Sequence, residues 1–251
     1  MIVVIKDKEV FPLKIEVWSD YVCPFCYIGK RRLEEAIESF PHKDNIQVVF
    51  KSFELDPGAD RDLKVGIHEK LAAKYNMTID QAKNSTKEME KQAKAAGLDF
   101  QFDGMVTANT LDAHRLAKYA EVQGKDKEVA ELLLKAYFTE AKHIGELDVL
   151  LEIAEKAELD RSETSKVLES GQFTEEVRAD EQAAQQMSVR GVPFFVLNQK
   201  YAISGAQPAA VFQDALKKVW EEEQASPQIQ HLSSDQQEVC TEDGCDIPEN
   251  K

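Results

Sequence analysis

Four cysteines occur in the 251-residue chain, in two pairs: Cys23-Pro24-Phe25-Cys26 and Cys240-Thr241-Glu242-Asp243-Gly244-Cys245. Two thiols separated by two residues at the start of a helix stand one turn apart, close enough to form a disulfide with each other after attacking one elsewhere. A helix N-terminus offers unpaired amides and the positive end of the helix dipole, which favour a thiolate. Cys23 is therefore the expected nucleophile and Cys26, deeper in the first turn, the expected resolving thiol. Neither Pro24 nor Phe25 ionises, so any acidity of Cys23 must come from the backbone and from residues outside the pair. The same spacing also supplies half of a tetrahedral zinc site that Cys240 and Cys245 would complete. A strand-to-helix junction is a poor scaffold for a zinc knuckle, so no metal is expected.

The segments on either side must position these sulfurs. Leu13 to Trp18 alternates apolar and polar residues, the period of a strand with one buried face. After the CxxC, Ile28, Leu33, Ala36, Ile37 and Phe40 recur at helical spacing, and Pro24 suits a first turn, where a missing amide hydrogen costs nothing. Ile46 to Phe53 returns to a strand pattern, giving a βαβ unit that fits a parallel sheet. The next stretch is helical: Leu63 to Tyr75, a helix capped by Thr78 with Gln81 and closed near Gly97, then Thr110 to Val122, Asp126 to His143 and Leu147 to Ala157. Asp160 with Glu163 caps a further short helix, and Phe173 and Thr174 read as staple and cap of one reaching about Ser188. Phe194 to Leu197, a turn at Asn198-Gln199, and Lys200 to Ser204 read as an antiparallel hairpin, followed by a helix over Pro208 to Glu223. The expected architecture is one α/β domain interrupted by helices.

Composition narrows the functions. Hydrophobic residues make up 43% of the chain and charged residues 31%, enough for a sizeable core. Asp and Glu number 46 against 31 Lys and Arg, a formal net charge of −15, and no basic cluster is free of interleaved acids, so a nucleic-acid partner is not expected. No apolar run approaches the roughly 20 residues that span a bilayer, and the first residues carry no secretory pattern. A cytoplasmic protein with no membrane partner is expected.

Taken together, Trp18-Ser19-Asp20, Cys23-Pro24-Phe25-Cys26-Tyr27-Ile28-Gly29, Val189-Arg190-Gly191-Val192-Pro193-Phe194-Phe195 and Ser204-Gly205-Ala206-Gln207 resemble the FrnE-type branch of the DsbA-like thioredoxin-fold family. The resemblance spans roughly residues 13 to 223. The residue pattern puts 1–58 and 181–225 in a discontinuous α/β domain, 59–180 in an all-helical insertion and 226–251 in an acidic tail, and the resemblance implies a thioredoxin-like fold with an inserted helical domain. It also implies a redox-active dithiol at Cys23 and Cys26, a cis bond before Pro193, and thiol–disulfide oxidoreductase or isomerase activity toward protein substrates, with no cofactor. A substrate chain would then pair along the backbone of Val192 beside the thiols, with Val192, Pro193, Phe25 and Trp18 as its contacts. A low-molecular-weight thiol or a thioredoxin-type protein would exchange electrons with the site. Both cysteines are present, which argues against a glutathione-dependent small-molecule isomerase. A redox-regulated binding protein or holdase chaperone remains the alternative from another class.

Several residues lie outside that pattern. Cys240 and Cys245 flank a plausible Asp-Gly turn, and a disulfide there would restrain so short a loop by only roughly 2 kcal/mol. A secondary redox pair that exchanges electrons with Cys23 and Cys26 is the expectation. Glu16 and Asp20 are candidate proton carriers near Cys26. His114 is the one histidine with a plausible view of the groove. Met77, Met89 and Met105 do not cluster in sequence.

Overall fold

The computed structural model describes residues 12–61 and 64–224, and the backbone of 240–241 and 244–245. Its sheet has the order β2-β1-β3-β4, with β1 (Leu13–Ser19) parallel to β2 (Ile46–Ser52) and antiparallel to β3 (Phe194–Leu197), which pairs antiparallel with β4 (Tyr201–Ser204). Asn198 and Gln199 both take positive φ, 46° and 56°, and with Lys200, which the sequence reading gives to the strand, form the three-residue connection of the hairpin. The period-2 reading of β1 holds. Leu13, Ile15 and Val17 face one side, where helix α1 (Pro24–Glu38) contributes Leu33 and Ala36 and the C-terminal helix contributes Phe212, Leu216 and Val219. Trp18 faces the other side.

Between β2 and β3 the chain forms α2 (Ile67–Tyr75), α3 (Ile79–Ala95), α4 (Leu111–Val122), α5 (Asp126–Phe138), α6 (Leu147–Lys156), α7 (Arg161–Ser170) and α8 (Thr174–Gln186). The terminal helix is α9 (Ala209–Gln224). Phe100, Phe102, Leu116, Leu133, Tyr137 and Phe138 form the centre of a second core, which Tyr27 and Ile28 of α1 also enter. Helix α1 is thus buried along two faces, one against the sheet and one against the helical block. The expected junction at 180–181 falls inside α8, a helix that lies against β2.

Three helix ends differ from the sequence reading. Helix α2 begins at Ile67 rather than Leu63, because Thr107 N–H donates to Val65 O at 2.8 Å and Ile67 N–H to Met105 O at 2.9 Å, holding that stretch extended in a bridge between Gly66 and Val106. Helix α5 stops at Phe138 rather than His143, since Ala141 turns left-handed (φ 50°) and Lys142 N–H closes back to Ala136 O at 2.8 Å. Thr174 is not a cap. It lies inside α8 and its hydroxyl donates to Gly171 O at 2.7 Å, while Phe173 takes the N-cap position with φ 63°. The Thr78–Gln81 capping box is present on both sides, and Asp160 accepts from the Glu163 amide at 2.8 Å.

Candidate active site

Cys23 is the N-cap of α1, with φ −95° and ψ 111°, and Pro24 opens the helix. The Cys26 amide donates to the Cys23 carbonyl at 3.0 Å, fixing the turn that brings the two side chains to one side. Both are unpaired thiols. Burial pushes the Cys26 thiol well above its usual range, and the hydrogen bond and charge of Cys23 push the same way. Hydrogen bonds from the Ser19 side chain and the Asp20 main chain pull it back. A thiol held protonated in this way is a weaker nucleophile than a thiolate.

The second strand of the site comes from the loop before β3. The Val192–Pro193 peptide is cis, as the resemblance implies, and the Cys23 thiol donates to the Val192 carbonyl at 3.6 Å. Gly29 is what allows this approach. A Cβ at that position would lie 3.1 Å from Pro193 Cγ and 3.2 Å from Phe195 Cζ, so a side chain there would require the loop or Phe195 to give way by a few tenths of an ångström. Gly205 N–H donates to Pro193 O at 2.8 Å and Arg32 donates to Ala206 O, tying the far side of the loop to the hairpin and α1.

A cavity of about 480 Å³ opens beside this pair. Val22, Cys23, Phe25 and Val192 form one wall, while Ile67 and Leu71 of α2, Met89 of α3, Phe102, Met105 and Phe138 form the rest. Lys70, Lys74 and Asp56 add the charged part of the lining. Cys23 is on the wall and Cys26 is behind it, so the cavity distinguishes two sulfurs that are almost equally buried. Met89 and Met105, which are far apart in sequence, meet here; Met77 does not.

The structure places some expected residues elsewhere. Trp18 is not a substrate contact: it is 3% exposed, packs with Ala184, Val189 and Val196, and donates its indole N–H to Asp180 O at 2.9 Å. Glu16, on the same strand face as Lys14, pairs with it at 3.0 Å. Phe25 is 41% exposed on the cavity wall. Asp20 and His114, unconnected in the sequence, meet in the interior with Asp20 Oδ1 3.3 Å from His114 Nε2. Two buried carboxylates had no sequence signal. Asp180 binds Ser52 N–H at 2.9 Å, Lys51 at 3.0 Å and Lys118 at 2.7 Å, and Glu54 pairs with Arg178. Burial pushes the Glu54 carboxyl upward despite that guanidinium, and its Oε1 is buried without a hydrogen-bond partner.

Cys240–Thr241 (β5) pairs antiparallel with Gly244–Cys245 (β6), which sets Cys240 opposite Cys245. The side chains of this pair, and the exchange expected of them, lie outside the described residues. Among the described residues no cluster of three or more His, Cys, Asp or Glu is arranged to hold a metal ion, and no helix is long and apolar enough to cross a membrane.

The chain is similar to known proteins over most of its length. It is 38% identical to a probable DsbA oxidoreductase from Streptomyces coelicolor, covering 94% of this chain and all of that one with a TM-score of 0.80. Protein YwbO of Bacillus subtilis is 28% identical over 204 residues, 80% of this chain and 94% of its own. The cytosolic disulfide reductase DsbM of Pseudomonas aeruginosa shares the fold at 17% identity and a TM-score of 0.59, covering 84% of this chain and 100% of its own. Residues 14–217, which include the sheet, the helical block and both thiols of the CxxC, match the DSBA-like thioredoxin domain, and the chain belongs to that family.

Proposed function

We propose that this protein is a thiol–disulfide oxidoreductase of the FrnE-type branch that acts on protein disulfides in the cytoplasm through Cys23 and Cys26. The observation that carries this reading is the arrangement of the two sulfurs: Cys23 on the wall of an apolar cavity at a helix N-cap, and Cys26 one turn behind it with its thiol held protonated by burial. In the reducing direction the Cys23 thiolate attacks a substrate disulfide, forming a mixed disulfide and releasing one substrate sulfur as a thiolate that takes up a proton. Cys26 then gives its proton to solvent and its thiolate attacks Cys23 Sγ; the bond to the second substrate sulfur breaks, and two electrons have moved from the dithiol to the substrate. Oxidation of a substrate dithiol is the same sequence reversed. A low-molecular-weight thiol or a thioredoxin-type protein would reset the pair.

The backbone of Val192 and the apolar wall support an extended polypeptide as substrate, with its sulfur beside Cys23 and a neighbouring side chain in the cavity. The volume of the apolar cavity and the 4% exposure of Cys23 also favour a second reading, in which the substrate is a small disulfide that enters whole. Turnover of insulin-type protein disulfides against a small aromatic disulfide separates the two. We expect Cys23→Ser to reduce disulfide exchange to background and Cys26→Ser to accumulate a Cys23 mixed disulfide, detected by mass on a non-reducing sample. Full exchange activity in Cys23→Ser would overturn the assignment, and client binding retained without any exchange in the wild type would leave a holdase.

A further inference from the structure

We infer that the low-molecular-weight partner of this dithiol is an apolar carboxylic acid, an aryl or bulky alkyl disulfide and its thiol, whose body enters the cavity while its carboxylate meets Lys74 at the mouth. This rests on the dithiol reading above. The cavity of about 480 Å³ is of the size that takes a whole small molecule, roughly 300–1,000 Å³, and is more than one side chain of a peptide would fill. Its walls are graded in exposure. Phe102, Met105 and Phe138 are at most 5% exposed and form the floor. Phe25, Leu55 and Tyr75, three of the eight large apolar side chains exposed among the described residues, stand at the mouth. Apolar surface left open to water around one cavity marks a place that a ligand covers.

Charge narrows what that ligand is. Ile67, Lys70, Leu71 and Lys74 of α2 follow the i, i+3, i+4, i+7 spacing of one helix face, and all four line the cavity. Among the described residues Asp56 is the one carboxylate on the wall, and it pairs with Lys70 at 3.1 Å. Lys74 has no carboxylate partner among the described residues, and its Nζ lies 5.7 Å from the centroid of the Tyr75 ring, within reach of a cation–π contact. One ammonium is thus left over on a largely apolar wall that it shares with Cys23. The chain as a whole carries −15 and repels anions, so a surplus cation at this cavity runs against the general field. A lysine in the last turn also suits the helix dipole, but that would hold on any face of α2. Reduction of such a disulfide, R–S–S–R, takes two displacements. Cys23 expels one R–S⁻ and keeps the other half as a mixed disulfide, and Cys26 then expels the second; the dithiol gives up two electrons and two protons, and two R–SH result.

The test uses the full reduced chain and measures the second-order rate of disulfide reduction, each rate divided by that of mercaptoethanol with the same compound. The probes are a dithiobis(benzoate), its uncharged bis-amide, oxidised glutathione and a cystine-bridged peptide. We expect the benzoate to react about threefold faster than the bis-amide at low salt, the size of one exposed charge pair, and that ratio to fall toward one as salt screens it. Lys74→Gln should bring the ratio to about one, and Lys74→Glu should put the bis-amide ahead. The benzoate should outpace oxidised glutathione by about tenfold or more, since only the benzoate brings a ring out of water. A bis-amide at least as fast as the benzoate in the wild type, a ratio unmoved by Lys74→Glu, or a glutathione or peptide disulfide that outpaces the benzoate would overturn the proposal and leave the dithiol reading intact. No reduction of any of the probes would overturn both.

Discussion

Gly29 carries no functional group, yet the geometry of the active site depends on it. The close approach of α1 to Pro193 and Phe195 leaves a methyl group only a tighter-than-ordinary contact. Gly29→Ala should cost roughly 1–3 kcal/mol, as overpacking does, and should push the Val192 carbonyl away from Cys23. Denaturant unfolding combined with the rate of disulfide exchange would check this, and a variant with wild-type stability and rate would show that the loop yields without consequence. At this scale the sequence is most informative where the chemistry is local. Cys23, Cys26 and their order along a helix follow from a four-residue motif. Trp18 lies on the face that alternation gives it, but a strand's period shows that two faces differ without showing what covers each, and here α8 covers the one that carries Trp18. Asp180 and Glu54 carry no signal, since their partners Ser52 and Arg178 are 128 and 124 positions away in the chain.

Helix α1 is joined to α5 by a cluster of charged and polar side chains. Glu131 binds Lys30 at 2.5 Å, accepts from the Tyr27 hydroxyl at 2.7 Å and pairs with Arg31. Burial alone would raise the Glu131 carboxyl, but the Lys30 charge and the hydrogen bonds from Arg31, Lys30 and Tyr27 hold it down to about 2, against an ordinary 4.5. A carboxylate depressed on folding stabilises the native state above its unfolded pKa, and that contribution is lost as pH falls from about 4.5 to about 2. Glu131→Gln should therefore lose on the order of 2 kcal/mol near neutrality, allowing for partial exposure, with the gap to wild type closing across that acid range. Thermal unfolding of both proteins against pH measures it; a gap that stays constant with pH would contradict an origin in the ionised carboxylate. The elements themselves are legible wherever an apolar period runs between caps, as in β1, α1, α3 and the hairpin. The start of α2 and the end of α5 are not, because a distant backbone bridge decides one and a left-handed alanine the other.

In the whole molecule, the sheet and the helical block meet through a small number of buried polar ties. Asp180 is the densest of them, taking the Ser52 amide and Lys51 from β2 and Lys118 from α4, while its own carbonyl receives Trp18. Asp180→Ala would take a carboxylate from the buried Lys118, from the half-buried Lys51 and from the Ser52 amide, and we expect it to destabilise the protein by roughly 3 kcal/mol. Equilibrium unfolding would show this as a lower midpoint, and a change under about 1 kcal/mol would mean that the ties are replaceable. That the chain divides into sheet-forming and helix-forming stretches is readable from its periods. How they dock is not, because the residues that dock them, apolar as well as polar, are brought together from distant parts of the chain.

A rigid part and a loosely anchored part face each other across the reactive sulfur. Helix α1 is gripped along two sides, whereas α2, opposite it, buries none of its residues. On the dithiol reading, we expect cargo of differing bulk to be accommodated on the α2 side of the cavity, with the sulfurs staying where they are, so that breadth of substrate choice and fidelity of the chemistry reside in separate pieces of the chain.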